Sequence, residues 1–172
     1  MPDRRDPTRD LLDAVRHLVR ALRLSHHEAE QRVGLSAAQL FVLQTLDEQG
    51  PLSLKEVAER TATDPSSVSV VVGRLVDESL VHRQRSPRDA RRAELSLTRK
   101  ARGVLAKAPP PVAQRALVDA VAALTARERD TLSRLMWRVV TAMGAGRGAP
   151  EMFFEGGARA RAPRKRRKQD GS

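Results

Sequence analysis

Arg88, Asp89, Arg91 and Arg92 crowd into the stretch Pro87-Arg88-Asp89-Ala90-Arg91-Arg92, and the chemistry of such a group is recognition of an anion. A planar guanidinium suits a narrow, strongly negative groove. A carboxylate two residues before Arg91 is placed to hold that guanidinium in one direction by paired hydrogen bonds. A charged run of this kind is as often a solvated loop, so its neighbours decide what it means. On one side lies Val81-His82-Arg83-Gln84-Arg85-Ser86; on the other, Ala93-Glu94-Leu95-Ser96-Leu97-Thr98 alternates apolar and polar as a half-buried strand does. Pro87 and Asp89 are turn residues, which makes the whole a hairpin with a cationic tip.

Two short helices precede the hairpin. Ser53 and Glu56 stand at capping-box spacing, so the hydroxyl can accept from the Glu56 amide while the carboxylate accepts from the Ser53 amide. Asp64-Pro65 opens the second helix with an N-cap carboxylate and a ring suited to the first helical position. At 100° per residue, Val68, Val71, Val72 and Leu75 share one face, while Ser66, Val70 and Gly73 lie opposite with Ser69 and Arg74 beside them. The outer face is small, polar and uncharged at its centre. Such a face can approach a groove closely, with serine hydroxyls meeting base edges or phosphates. A hairpin with a cationic tip directly after a helix-turn-helix predicts a DNA-binding wing.

The ordered set of motifs resembles a known family. Ser36-Ala37-Ala38-Gln39-Leu40, Leu54-Lys55-Glu56-Val57-Ala58, Ser67-Val68-Ser69, Gly73-Arg74-Leu75, Leu80-Val81-His82-Arg83, Asp89-Ala90-Arg91-Arg92 and Leu95-Ser96-Leu97-Thr98 stand at the spacings of the multiple antibiotic resistance regulator (MarR) family. The resemblance spans most of residues 8 to 144. It implies a recognition helix at 64 to about 79, and a wing whose Asp89-x-Arg91 pair sends the arginine into the minor groove. It also implies a ligand pocket between the helix carrying Phe41, the first helix and the helix after the wing, with Phe41 a candidate lining residue. Two positions depart from the pattern. Ser79 replaces the glycine usual after the recognition helix, predicting a less sharply left-handed helix end, and Arg102-Gly103 blurs the start of the next helix.

Composition narrows the possibilities. The 172 residues suffice for one domain with a real core, and aromatics are only 2%, with no Tyr, so that core must be Leu, Val and Ala. A net charge of +11 points to an anionic partner, nucleic acid first and anionic lipid second. Without cysteine there is neither a disulfide framework nor a thiol sensor. No apolar run approaches the ~20 residues that cross a bilayer, and the N-terminus lacks a signal-peptide core, which predicts a soluble, cytoplasmic protein with no membrane partner.

The flanking segments read as helices. Asp6-Pro7-Thr8 starts a stripe of Leu11, Leu12, Val15, Leu18, Val19 and Leu22. His26 and His27 diverge by about 100° on that helix and cannot both hold one metal ion unaided. Ser36 with Gln39, and Thr125 with Glu128, form two further capping boxes. Pro109-Pro110-Pro111 interrupts the chain before a stripe of Val112, Ala116, Leu117, Ala120, Val121 and Leu124. A last stripe holds Leu132, Leu135, Met136, Val139, Val140 and Met143, with Trp137 off its centre, either an anchor for a second subunit or a cover over a neighbouring helix. Beyond Gly144, Gly, Ala, Pro, Arg and Lys dominate, with Met152-Phe153-Phe154 the only apolar island.

The predicted fold class is mainly α (α+β): a winged helix-turn-helix at about 36–98, with flanking helices at about 8–32 and 99–143 forming a dimerisation region. Residues 1–7 and 145–172 are expected to be disordered, the latter a basic tail. Candidate DNA contacts are Ser66, Ser67, Ser69, Val70 and Arg74 on the recognition helix and Arg85, Arg88, Asp89, Arg91 and Arg92 on the wing. Arg164, Lys165, Arg166, Arg167 and Lys168 are candidates for nonspecific contact. The expected partners are double-stranded DNA, a second copy of the chain, and a small aromatic or anionic effector. No cofactor, metal or catalytic constellation is expected: there is no Ser/His/Asp arrangement, phosphate-binding glycine loop or ligand cluster. The competing reading is a nonspecific or architectural nucleic-acid binder driven by the tail.

Overall fold

The computed structural model describes residues 6–85, 93–110, 112–144 and Met152. Within them the order is α1 (Pro7–Val33), α2 (Ala37–Gln49), β1 (Leu52–Ser53), α3 (Leu54–Arg60), α4 (Pro65–Asp77), β2 (Val81–Arg85), β3 (Ala93–Leu97), α5 (Arg99–Leu105), α6 (Ala113–Ala123) and α7 (Ala126–Ala142). The strands form one antiparallel sheet in the order β1-β3-β2, with Val81 opposite Leu97 and Arg85 opposite Ala93. This is the predicted mainly α architecture with a small sheet. Pro7 is already helical and Asp6 caps it by accepting from the Thr8 amide, so the ordered chain starts before residue 8.

Helix starts follow local chemistry. All three predicted capping boxes form, at Ser36/Gln39, Ser53/Glu56 and Thr125/Glu128. Each satisfies two backbone donors that a bare helix end would leave without partners. Thr98 caps α5 by accepting from the Ala101 amide at 3.1 Å, so Arg102-Gly103 does not disturb that start. Ser53 has two roles: it is the N-cap of α3, and in the sheet it pairs with Glu94 of β3.

Ser79 corrects one expectation. Its φ is +58°, fully left-handed although it is not glycine. The Leu80 amide donates to Leu75 O at 2.8 Å and the Ser79 amide to Val76 O at 2.9 Å, the paired bonds of a Schellman cap. Leu75 and Leu80 are both buried, so apolar packing on either side of the cap offsets the strain of the left-handed residue. Ala62, at φ +49°, ends α3 in the same way: Thr63 donates to Ala58 O and Ala62 to Glu59 O.

α2 is the axis of the core. Leu40, Phe41, Val42, Leu43 and Leu46 are all buried, and α1, α3, α4, α5, α6 and β3 pack around it. Gln44 clasps the proline interruption, its amide nitrogen donating to Pro109 O and its oxygen accepting from the Val112 amide. α6 is thereby tied to α2. The Ala113 amide donates to Ser25 Oγ at 2.9 Å, which ties it to α1 as well.

The outer helices are different. Only Leu22 and Ala29 of α1 are buried, and no residue of α7 is. Leu11, Leu12, Val15, Leu132, Leu135, Met136 and Val139 lie exposed along them. Trp137 is half-buried in a groove that includes Leu11, Leu135 and Val139, so within the chain it sits where α1 and α7 adjoin. Among the described residues, no helix is long and apolar enough to cross a membrane.

Candidate nucleic-acid interface

α3 and α4 form the helix-turn-helix, and α4 presents the predicted outer face. Its N-cap is Asp64, whose Oδ1 accepts from the Ser66 amide at 2.8 Å and from the Ser66 hydroxyl at 2.5 Å. Those two bonds favour the charged carboxylate and hold its pKa below the ordinary value. Ser66, Ser69, Val70 and Arg74 are exposed, while Val68, Val71, Val72 and Leu75 are buried. A Cβ built on Gly73 would meet nothing within 4 Å, so the small residue there leaves an open surface and fills no packing need.

Ser67 is a correction. It is 7% exposed and lies on the inward side of α4, so it is not on the surface that could meet a groove. Ser66 also differs from the simple expectation, because its hydroxyl proton is already given to Asp64. Toward any other molecule Ser66 Oγ is left as an acceptor.

The wing root is well placed. β2 is the edge strand, and His82, Arg83, Gln84 and Arg85 are all exposed along it. His82, Arg83 and Gln84 were not singled out from the sequence, although their position between Val81 and the cationic tip marked them. Arg88, Asp89, Arg91 and Arg92 lie outside the described residues, as do Phe153, Phe154 and Arg164, Lys165, Arg166, Arg167 and Lys168.

The end of α4 is fixed from two sides. Gln39 Nε2 donates to Glu78 Oε1 at 3.2 Å, and Lys100 Nζ donates to Glu78 O at 2.7 Å. The Thr98 hydroxyl donates to Ser79 O at 2.9 Å. α4 is thus gripped by α2 and α5 where it turns into the wing.

A cavity of about 440 Å³ lies beside the start of α4. Phe41 lines it, but its walls are not those named for the expected ligand pocket. They come from α2, from α6 through Leu117, Val118 and Val121, and from Thr61, Ala62, Thr63 and Asp64 between α3 and α4. Neither α1 nor α5 contributes a lining residue. Met152 does, and it is 5% exposed.

The two histidines of α1 go separate ways. His26 Nδ1 accepts from the Ala37 amide at 3.3 Å with Nε2 3.6 Å from Glu30, whereas His27 meets Gln31. No group of three candidate metal ligands occurs among the described residues.

Two helices in helix-turn-helix order, followed by an edge hairpin, define a winged-helix protein. Residues 35–93 match the MarR family. The transcriptional repressor MdtR of Bacillus subtilis is 39% identical over 71 residues, a stretch that is 41% of this chain and 46% of the repressor. The chain thus spans less than half the length of the curated relative it matches. BpsR of Bordetella bronchiseptica, whose DNA binding is regulated by 6-hydroxynicotinic acid, superposes with a TM-score of 0.51 at 25% identity, over 81% of this chain and 96% of BpsR. A mutant MarR from E. coli complexed with operator DNA has the same fold, with a TM-score of 0.53 at 21% identity over 78% of this chain and 99% of that one.

Proposed function

We propose that the chain is a DNA-binding transcription regulator, a homodimeric repressor that reads a pseudopalindromic duplex and is released by a small molecule. The observation that carries this reading is the outer face of α4: exposed, small and uncharged at its centre, directly before an edge strand of exposed Arg83 and Arg85. Ser69, Val70 and the acceptor oxygen of Ser66 are the base-reading candidates, and Arg74 and Arg85 suit flanking phosphates. The Asp89 and Arg91 pair is assigned to the minor groove by its resemblance to the Asp-x-Arg pair of the family's wing.

Dimerisation is supported by the apolar residues left exposed on α1 and α7, which no part of the described chain covers. Two-fold symmetry would set the recognition helices about one duplex turn, ~34 Å, apart, so the operator should be an inverted repeat. The cavity beside Phe41 is the candidate effector site, because its wall includes the residue that caps α4.

The test is selection of a duplex from a random pool, then titration of the chain and its Arg91→Ala variant on that duplex and on scrambled DNA. The parent chain should prefer the selected sequence at all salt concentrations. Arg91→Ala should lose about 1 to 3 kcal/mol while remaining folded. Equal binding to both duplexes, vanishing as salt rises, would establish the nonspecific binder driven by Arg164 to Lys168 instead.

A further inference from the structure

One polar group in the exposed first turn of α4 has its polarity fixed. Ser66 donates twice to Asp64 Oδ1, from its amide at 2.8 Å and from its hydroxyl at 2.5 Å. The second distance is that of a charge-assisted bond from a hydroxyl to a carboxylate. The same two bonds hold the Asp64 carboxyl below its ordinary pKa, so near neutral pH it has no proton to return. The single hydroxyl proton of Ser66 is thereby committed to Asp64, and toward a molecule approaching this exposed turn its oxygen can only accept.

The helix starts at Ser53 and Thr125 show what is particular here. Their hydroxyls also donate to carboxylates, those of Glu56 and Glu128, but their oxygens accept from the amides of the same two residues. At Ser66 the amide and the hydroxyl both go to one carboxylate oxygen, so Asp64 does the capping and the serine oxygen is not consumed by it.

A serine hydroxyl that can rotate presents either a donor or an acceptor, and so tells base edges apart poorly. A fixed acceptor discriminates. In the major groove adenine and cytosine offer amino groups, whereas guanine and thymine offer keto oxygens. A keto oxygen set against Ser66 Oγ would place two acceptors together, both stripped of water and with no proton between them.

We propose that Ser66 reads the duplex only as a hydrogen-bond acceptor, selecting an adenine or cytosine amino group on the strand it faces, and that Asp64 is the positioning residue that fixes this polarity. The inference rests on the reading of α4 as the helix that meets the bases.

The test takes the full chain and its Ser66→Ala variant through duplex selection at physiological salt; the base pair whose preference changes is the one Ser66 faces. The selected duplex is then remade with only the exocyclic amino group of that pair deleted, and separately with only the keto oxygen of the partner base deleted. Any loss shared with Ser66→Ala is the cost of the altered base pair, so the difference between the two chains reads the contact. For the amino deletion that difference should be about two- to tenfold, and for the keto deletion close to none. Ser66→Thr keeps the hydroxyl and should keep the sensitivity. Asp64→Asn keeps an N-cap acceptor but holds the proton less firmly, so it should narrow the gap between the two deletions, whereas a merely structural Asp64 would weaken binding to every duplex alike. An unchanged gap would overturn the role of Asp64. No altered base pair in Ser66→Ala, equal amino sensitivity in both chains, or a loss on deleting the keto oxygen instead would overturn the inference while leaving sequence-specific binding intact. A chain that selects no duplex would overturn the reading of α4 and this inference together.

Discussion

Gln39 Nε2 lies 3.2 Å from Glu78 Oε1, while the other end of the same side chain accepts from the Ser36 amide at 3.0 Å. One buried side chain both caps α2 and holds the end of α4. Gln39→Ala would leave the Ser36 amide, which is also buried, without its acceptor. The expected loss is about 1–3 kcal/mol in urea unfolding. Gln39→Glu would restore the acceptor but set a carboxylate against Glu78, so its deficit should shrink as the solution is acidified and the pair takes up a proton.

The carboxyls of Asp64 and Glu128 are held below their ordinary values of 3.8 and 4.5, chiefly by side-chain hydrogen bonds from Ser66 and Thr125. A depressed native pKa adds stability that is fully present above the unfolded value and is lost as pH falls through the native one. The melting temperature should therefore begin to fall as pH drops below the ordinary values of these groups. Asp64→Asn with Glu128→Gln should show a flatter acid limb by calorimetry. An unchanged acid limb would mean that other carboxylates carry the acid sensitivity.

Ser79 holds a left-handed backbone without the freedom of glycine. Ser79→Gly should be neutral or stabilising by up to about 1 kcal/mol, the relief of strain being partly offset by the greater entropy of the unfolded glycine chain. Ser79→Val should be destabilising by about 1–2 kcal/mol. The Thr98 bond ends on the Ser79 backbone carbonyl and survives both changes.

Leu135 and Val139, one turn apart on α7, are 47% and 50% exposed. Replacing both by Glu should leave the protomer folded, because neither is core, and should convert the proposed dimer to a monomer in sedimentation at micromolar concentration. A persistent dimer would move the interface off α7.

What was legible in the sequence was mostly local. The three capping boxes depend on two side chains three residues apart, and the inward stripe of α4 depends on the helical period alone; both are properties of short segments. Ser67 was misplaced because it stands about 100° from Val68, at the margin of the stripe, where the covering of α4 by other elements decides burial. Ser79 was misjudged for a related reason: its type disfavours the left-handed cap, and only the burial of Leu75 and Leu80 enforces it. The cavity walls joined residues 41, 61–64, 114–121 and 152, separations over which periodicity carries no information. α2 had a readable start, but burial on nearly every side gives it no contrasting polar face to read.

Ser53 belongs to two devices at once, capping α3 and pairing with Glu94 in the wing sheet. The root of the wing and the first helix of the helix-turn-helix therefore cannot swing independently. With α4 gripped at its far end through Glu78 and Ser79, the two parts proposed to face a duplex behave as the fixed jaws of a caliper. A caliper measures a distance before it reads a letter. Under the proposed function, DNA in which the neighbouring minor groove lies off the set span would itself have to twist or bend to fit, so the stiffness of base pairs that no side chain touches would become part of what the protein selects.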